Sequence, residues 1–287
     1  MAEPISPPAN ERVHRLWETF DQRTPDEAKA LAVDFLRDQP LDRAVRAAFV
    51  EILCFLEQWE RAENQADVVA GREQHDSLGQ HADLLRRLTR GERWRASVMS
   101  GQAIPSRPPS SEANWDEDTE RRLSMLVAHA TGSTQEFETR AAAIAMQPGW
   151  RCEVAGGGKG ELRDEDDRLG STLEGITRHG EYVWIPLQMI MELRLSRMGG
   201  ACDRLWRRAF VQLTDAVGMA LYIPIRYPES SRAGDPILIR GEARDRITGW
   251  GSIFAAAGHR CFMFGEDRIP MAKLGTIRGV KEPEDAQ

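Results

Sequence analysis

Asp164, Glu165, Asp166 and Asp167 form the longest unbroken acidic run of the chain, and Arg168 and Gly170 follow at once. Clustered carboxylates supply the hard oxygen ligands that a divalent cation needs for metal-assisted hydrolysis. The same residues suit a capped turn, where carboxylates accept backbone N–H bonds and pair with Arg163 or Arg168. No histidine or second acidic motif stands at a ligand spacing, so the residues favour the turn. Other chemistries lack their parts. Lys159 within Gly156–Gly160 is followed by Gly160 rather than Ser or Thr, and no helix start follows, which rejects a phosphate loop. His14, His75, His81, His129, His179 and His259 form neither HxH nor HExxH, and no GxSxG elbow occurs. Neither a catalytic constellation nor a cofactor is expected. The eight tryptophans read as core, with any exposed one marking a contact surface.

Composition narrows the partners. A net charge of −7 argues against a general nucleic-acid or anionic-membrane binder, which needs a clustered positive field, although a local basic patch stays compatible with it. The longest apolar run, Ala47–Leu56, is interrupted by Glu51 and is too short to span a bilayer. The opening MAEPISPPAN has neither a positive n-region nor an apolar stretch, so no signal peptide is expected. Cys54, Cys152, Cys202 and Cys261 are widely spaced, which reads as reduced thiols and a cytoplasmic protein.

The acidic run stands at a change of pattern. Residues 11–149 read as a helical domain, 150–278 as a smaller α+β domain rich in antiparallel strands, and 1–10 and 279–287 as flexible tails. Thr24-Pro25-Asp26-Glu27 is a helix start, with Ala28, Leu31, Ala32, Phe35 and Leu36 on the buried face. Ala44 through Phe55 and Trp59 through Val69 continue the helices. Ala28, Ala62 and Ala96 recur at 34 residues, the period of tetratricopeptide-type hairpins, so the first half is expected to form an α-α superhelix with a groove for a peptide or helix. Ile104–Asn114 reads as a loop, Glu117–His129 as a helix with Leu123, Leu126 and Val127 inward, and Gln135–Met146 as the last helix. The border falls between Pro148 and Leu162, with Gly156-Gly157-Gly158 as linker.

Strand signals follow. Tyr182, Trp184 and Pro186 alternate with Val183 and Ile185 after a reversal at His179-Gly180. Met189, Met191, Leu193 and Leu195 alternate likewise. Ala209, Val211 and Leu213 lead through Asp215–Gly218 to Met219, Leu221, Ile223 and Ile225, a hairpin. Pro236–Arg240 and Arg260–Phe264 read as further short strands.

The run Asp164-x-Asp166-x-Arg168-Leu169-Gly170, then Leu173-Glu174, then Gly180-x-Tyr182-x-Trp184-x-Pro186, resembles the signature of the ImpE/TagJ family, also called SciE-type virulence proteins. Ile223-Pro224-x-Arg226-Tyr227-Pro228-x-Ser230 and Arg246-x-Thr248-x-Trp250 fit as well, and Asp203-Arg204-Leu205-Trp206 resembles an altered Arg-Asp-Leu-x-Trp block. Ser171 stands where the family tends to have Pro, and Glu229 where it tends to have Gly. The resemblance implies a non-enzymatic accessory protein of a bacterial type VI secretion system. Such a protein binds a helix of the small contractile-sheath subunit (TssB-like) and acts alongside the ClpV ATPase that recycles the sheath. The alternative is a metal-dependent hydrolase or nucleotide-handling enzyme centred on Asp164–Asp167 and Glu174. Under the adaptor reading these carboxylates are bonded to Arg168, Arg226 and backbone amides. Asp164, Asp166, Arg168, Glu174 and Arg226 are then expected in one buried network, with Tyr182, Trp184, Tyr227 and Trp250 beside them.

Overall fold

Thr24, Asp42, Asp76 and Asp116 each place a side-chain oxygen 2.8–3.1 Å from the backbone N–H three residues on, and a helix begins after each. The computed structural model describes residues 9–71, 76–109, 115–145, 149–197, 201–232 and 234–280. Within these the first half is helical: α1 (Ala9–Gln22), α2 (Pro25–Asp38), α3 (Arg43–Phe55), α4 (Trp59–Ala70), α5 (Ser77–Met99), α6 (Glu117–Ala130) and α7 (Thr134–Ala145). Neighbouring helices pack as antiparallel hairpins around Leu16, Phe20, Ala28, Val45, Phe55 and Ala62, all fully buried. Among the described residues no helix is long and apolar enough to cross a membrane. Ala9 and Asn10, expected in a tail, already belong to α1, and Gly279 belongs to the last strand; residues 1–8 and 281–287 lie outside the described residues.

The second half is a curled antiparallel sheet of ten strands. In chain order they are β1 (Trp150–Val154), β2 (Gly158–Asp164), β3 (Thr172–Thr177), β4 (Tyr182–Pro186), β5 (Ile190–Leu195), β6 (Trp206–Leu213) and β7 (Gly218–Pro224). A short helix, α8 (Pro236–Arg240), and a separate ribbon, β8 (Arg244–Arg246) with β9 (Ala256–Gly258), follow. The sheet resumes with β10 (Cys261–Phe264), β11 (Asp267–Pro270) and β12 (Thr276–Gly279). Its order is β11-β10-β2-β1-β12-β5-β6-β7-β3-β4. Gly156–Gly158 is therefore the turn of the β1–β2 hairpin, not an interdomain linker.

The alternation in β4 has two buried faces. Val183 and Ile185 enter a core inside the curl with Leu162, Leu173, Val211 and Ile277, while Tyr182 and Trp184 face the helices. Helix α5 lies directly on β3 and the β3–β4 turn. A Cβ on Gly91 of α5 would overlap Ile176, and one on Gly180 (φ 85°) would stand 2.6 Å from the Arg87 carbonyl oxygen.

Four expectations are corrected. Pro236–Arg240 is a helix: Asp235 caps it by accepting from Ile237 N at 2.9 Å, and Pro236 opens it, which outweighs the strand-like Ile-Leu-Ile run. In β5 a bulge between Ile190 and Glu192 shifts the phase, so Ile190 and Leu193 are buried while Met191 is exposed. On α6 Leu123 and Leu126 point inward but Val127 faces solvent, because the buried stripe is centred on Thr119 and Arg122. Ala96, third in the 34-residue series, is exposed whereas Ala28 and Ala62 are buried. The helix-stopping Pro148 and part of the 104–114 loop lie outside the described residues.

Gly180→Ala is expected to destabilise the protein by about 2–3 kcal/mol, combining a strained left-handed residue with the collision at Arg87. Chemical denaturation of the purified variant measures it; an unchanged midpoint would show that α5 does not press on this turn.

Candidate functional site

β2 ends at Asp164, and the chain turns back at once. Asp164 Oδ1 accepts from the Asp166 amide at 2.9 Å, and the Asp166 carbonyl accepts from the Leu169 and Gly170 amides at 2.9 and 2.8 Å. Asp166 grips Arg168 bidentately, Nε to Oδ1 at 2.9 Å and Nη2 to Oδ2 at 2.6 Å, and also accepts from the Ala256 amide at 2.9 Å. The Arg168 guanidinium lies over the Trp250 ring, 4.9 Å from its centroid, and 3.6 Å from Glu229 Oε2. Trp250 in turn stacks on His129 of α6 at 3.8 Å.

Glu174 on β3 is the central acceptor. Arg95 of α5 donates to it through Nε at 2.8 Å and Nη2 at 2.6 Å, Arg260 donates at 3.0 Å, and the Tyr182 hydroxyl donates as well. Trp184 Nε1 donates to the Tyr182 oxygen at 2.6 Å. Arg260 also donates to Asp164 Oδ2 at 2.6 Å, so one guanidinium ties β2 to β3. Glu92, on the same face of α5 as Arg95, accepts from Trp206 Nε1 at 2.7 Å and from Arg95 at 3.3 Å. Asp164, Asp166, Arg168, Glu174 and Arg260 are buried to within 1 % of full enclosure.

Arg226 behaves differently from expectation. Among the described residues its guanidinium takes no carboxylate; it donates to the carbonyls of Cys54 (3.2 Å) and Phe55 (3.0 Å) at the C-terminus of α3, and to that of Ile239 in α8. The reason is helix chemistry: the last carbonyls of a helix are not bonded by a following helical turn and carry partial negative charge, although that of Cys54 also accepts from the Glu57 amide at 3.1 Å. Its backbone oxygen accepts from Arg95 at 3.0 Å, so Arg226 borders the network through the main chain. Tyr227 reaches it directly, with its hydroxyl 2.9 Å from Asp164 Oδ1 and 2.8 Å from the Cys261 carbonyl.

Arg95, Glu92 and Arg260 were not singled out in the sequence. For the first two a signal exists: Leu85, Leu88, Glu92, Arg95 and Met99 follow helical spacing, and all five are buried, so a charged pair interrupts an apolar stripe. Arg260 carries no such signal.

All four carboxylates of the acidic run are bonded to cations, Asp164 to Arg260, Glu165 to Arg268, Asp166 to Arg168 and Asp167 to Arg163. Among the described residues no group of three or more His, Cys, Asp or Glu is placed to hold a metal ion. Cys54, Cys152 and Cys261 are free and buried; the side chain of Cys202 lies outside the described residues. Beside the network a cleft of about 270 Å³ opens between the halves, lined among others by Glu57, Glu92, Arg95, Tyr227 and Glu229. Glu57 (φ 54°) and Glu229 (φ 65°) both hold left-handed backbone there.

Asp164, Asp166, Glu174 and Glu92 are buried among the guanidiniums of Arg95, Arg168, Arg226 and Arg260, but only the first three carboxylates hold direct ion pairs at 3.0 Å or less. Burial and neighbouring Asp166 push Asp164 up to about 6, against the pull of Arg260, and burial also raises Glu92. Burial would raise Glu174 too, but Arg95 and Arg260 outweigh it and hold it low. The Tyr227 hydroxyl has one hydrogen for two acceptors, and a proton on Asp164 relieves that shortage.

Two outcomes follow. Glu174→Gln is expected to cost about 3–5 kcal/mol, because it leaves Arg95 and Arg260 buried without their shared anion; urea denaturation reads it, and a loss below 1 kcal/mol refutes the central role. For Asp164 the folded protein holds more proton than the unfolded chain between the ordinary value of 3.8 and about 6, so this group makes stability fall as pH rises through that window. Glu174 acts oppositely, its contribution being present above 4.5 and lost as pH falls through its lowered folded value. Asp164→Asn should therefore reduce the decline between about pH 4 and 6, leaving the part that raised Glu92 contributes, and leave the acid-side loss, as measured by denaturation midpoints across pH.

Residues 156–278 match the family of the ImpE protein. Over 264 residues the chain is 28% identical to the type VI secretion system accessory component TagJ of Pseudomonas aeruginosa, which covers 92% of this chain and 89% of that one. Its fold is that of the crystal structure of protein VPA1032 from Vibrio parahaemolyticus, with a TM-score of 0.80 and 19% identity over 93% of this chain and 98% of that one. The motif blocks at 164–186, 223–230 and 246–250 all fall inside the matched span, so over that span the chain is similar to the ImpE family.

Proposed function

We propose that this protein is an accessory component of a bacterial type VI secretion system that works by binding rather than by catalysis. The similarity to TagJ along nearly the whole chain is the observation that carries this reading. The partner in this reading is a helix of the small, TssB-like subunit of the contractile sheath. Its capture modulates sheath assembly or ClpV-dependent disassembly, which places the protein in the cytoplasm. The hydrolase alternative needs carboxylate oxygens that converge on an open pocket. Asp164 and Asp166 instead have no exposed surface and accept from guanidiniums, a phenol and backbone amides, which favours a structural use of the acidic turn. Stacked helical hairpins suit the binding role, since they present grooves to amphipathic helices whose anchors recur at i, i+3, i+4 and i+7.

Titration calorimetry against a peptide of the N-terminal helix of the small sheath subunit from the same organism tests the reading. Micromolar or tighter binding with negative ΔCp is the expected result, as apolar helix capture requires. Absence of heat at several temperatures would remove the sheath helix as partner.

A further inference from the structure

Ala28 and Ala62 are fully buried where α2 and α4 pack against neighbouring helices, and small residues at such positions let helices approach closely. Ala96, a further 34 residues on, is exposed. It lines an open groove of about 880 Å³ between α4 and α5, whose apolar lining is completed by Trp59, Trp94 and Ala103. Trp94 Nε1 donates to the Ile104 carbonyl at 2.9 Å, which fixes the indole beside an Ile104 side chain that is 64% exposed. Helix α5 thus offers, at the third position of the series, the surface on which the first two receive a helix.

The charges bordering the groove choose the polar side of the occupant. Arg61, Arg90 and Arg93 are exposed, whereas of Glu57, Glu60 and Glu63 only Glu60 is. Glu63, its side chain 17% exposed, is shared by Arg93 at 2.7 Å and Arg90 at 3.8 Å, and Glu57 turns away to accept from Ser231 Oγ at 2.8 Å. These six formal charges cancel, yet the outward ones are mainly cationic, on a chain with net charge −7. Exposed Arg side chains keep donors available for carboxylates of a partner.

We infer that the α4–α5 groove docks an amphipathic helix of the partner protein, with a small residue of that helix against Ala96 and acidic residues flanking it toward Arg90 and Arg93. This rests on the adaptor reading and gives it a location. The groove is continuous with the cleft beside Arg95 through Glu57, Trp59 and Ala96, so the docked helix ends against the loop that carries Arg226 and Tyr227.

The experiment compares the wild-type chain with Ala96→Arg, with the pair Arg90→Gln/Arg93→Gln, and with Thr139→Arg on the exposed face of α7 as control, using the sheath-helix peptide in calorimetry. All four positions are exposed on helices, and thermal melts verify folding. Ala96→Arg should weaken binding by at least about tenfold, the scale of an interface hot spot. The charge pair should weaken it about threefold with a flatter salt dependence, and the control should match wild type. Wild-type binding with an unaffected Ala96→Arg overturns the groove and leaves the adaptor reading standing. Unchanged or tighter binding by the charge pair overturns the acidic flank. No binding by wild type overturns the adaptor reading and the groove together.

Discussion

Glu174 receives donors from three parts of the chain that are far apart in sequence, Arg95 in α5, Tyr182 in β4 and Arg260 ahead of β10. The sheet order puts β10 and β2 near one end and β3 and β4 at the other, so a single guanidinium that bonds both Asp164 and Glu174 requires the sheet to curl until its ends meet. No backbone ladder joins β2 to β3 across that seam. Charge does it instead, and α5 covers the seam from outside through Arg95, Gly91 and the Arg87 carbonyl. Without this arrangement, Asp164, Glu174 and Arg260 would be unpaired charges in a dry interior, a cost no core of this size can absorb.

The same network decides how the two halves relate. Tyr182, Trp184 and Trp206 from the sheet lie in one apolar cluster with Leu16, Phe55 and Leu88 from the helices. Aromatic side chains of this size dominate a core, and each also hands its polar tip to the network, Trp206 to Glu92 and Trp184 to Tyr182. Arg226 adds a tie from the sheet half by capping the C-terminal carbonyls of α3. Helices and sheet therefore share both an apolar and a polar interior, and a disturbance at one is transmitted to the other through contacts that cannot be made singly.

Much of this was legible in the sequence for a simple reason: periodicity reports which face is buried. The β4 alternation and the β6–β7 hairpin followed from it, and so did the α+β class; the start of α2 followed instead from its Thr24 cap, while the caps at Asp42, Asp76 and Asp116 were not read. What failed were places where a local rule competed with another. In Pro236–Arg240 β-branched residues pointed to a strand while Asp235 and Pro236 pointed to a helix, and the cap prevailed. At Met191 a bulge inserted one residue into the period. Arg226 could not be assigned its partners, because a guanidinium gives no sign of whether a carboxylate or a helix end awaits it. Glu92 and Arg95 were readable as charges inside an apolar stripe, but the strands that answer them, β6 through Trp206 and β3 through Glu174, lie 114 and 79 residues away, and only the fold brings them there.

Ser171 and Glu229 both stand at the rim of the same network, and each has a physical consequence there. Ser171 donates its hydroxyl to Asp118, the residue that holds Arg122 at 3.0 Å, while Arg122 donates to the Asp167 carbonyl. A residue without a hydroxyl could not tie α6 to the acidic turn in this way. Glu229 adopts φ 65°, a conformation that costs an L-residue about 1–2 kcal/mol. Its carboxylate comes 3.6 Å from Arg168 Nη1, a buried nitrogen with no hydrogen-bond acceptor. The strain is offset by an anion placed beside a cation that Asp166 alone leaves incompletely satisfied. Both residues therefore act in one direction: they bind the turn at Asp164–Gly170 to its surroundings, on the helical side through α6 and on the cleft side through the loop after Tyr227.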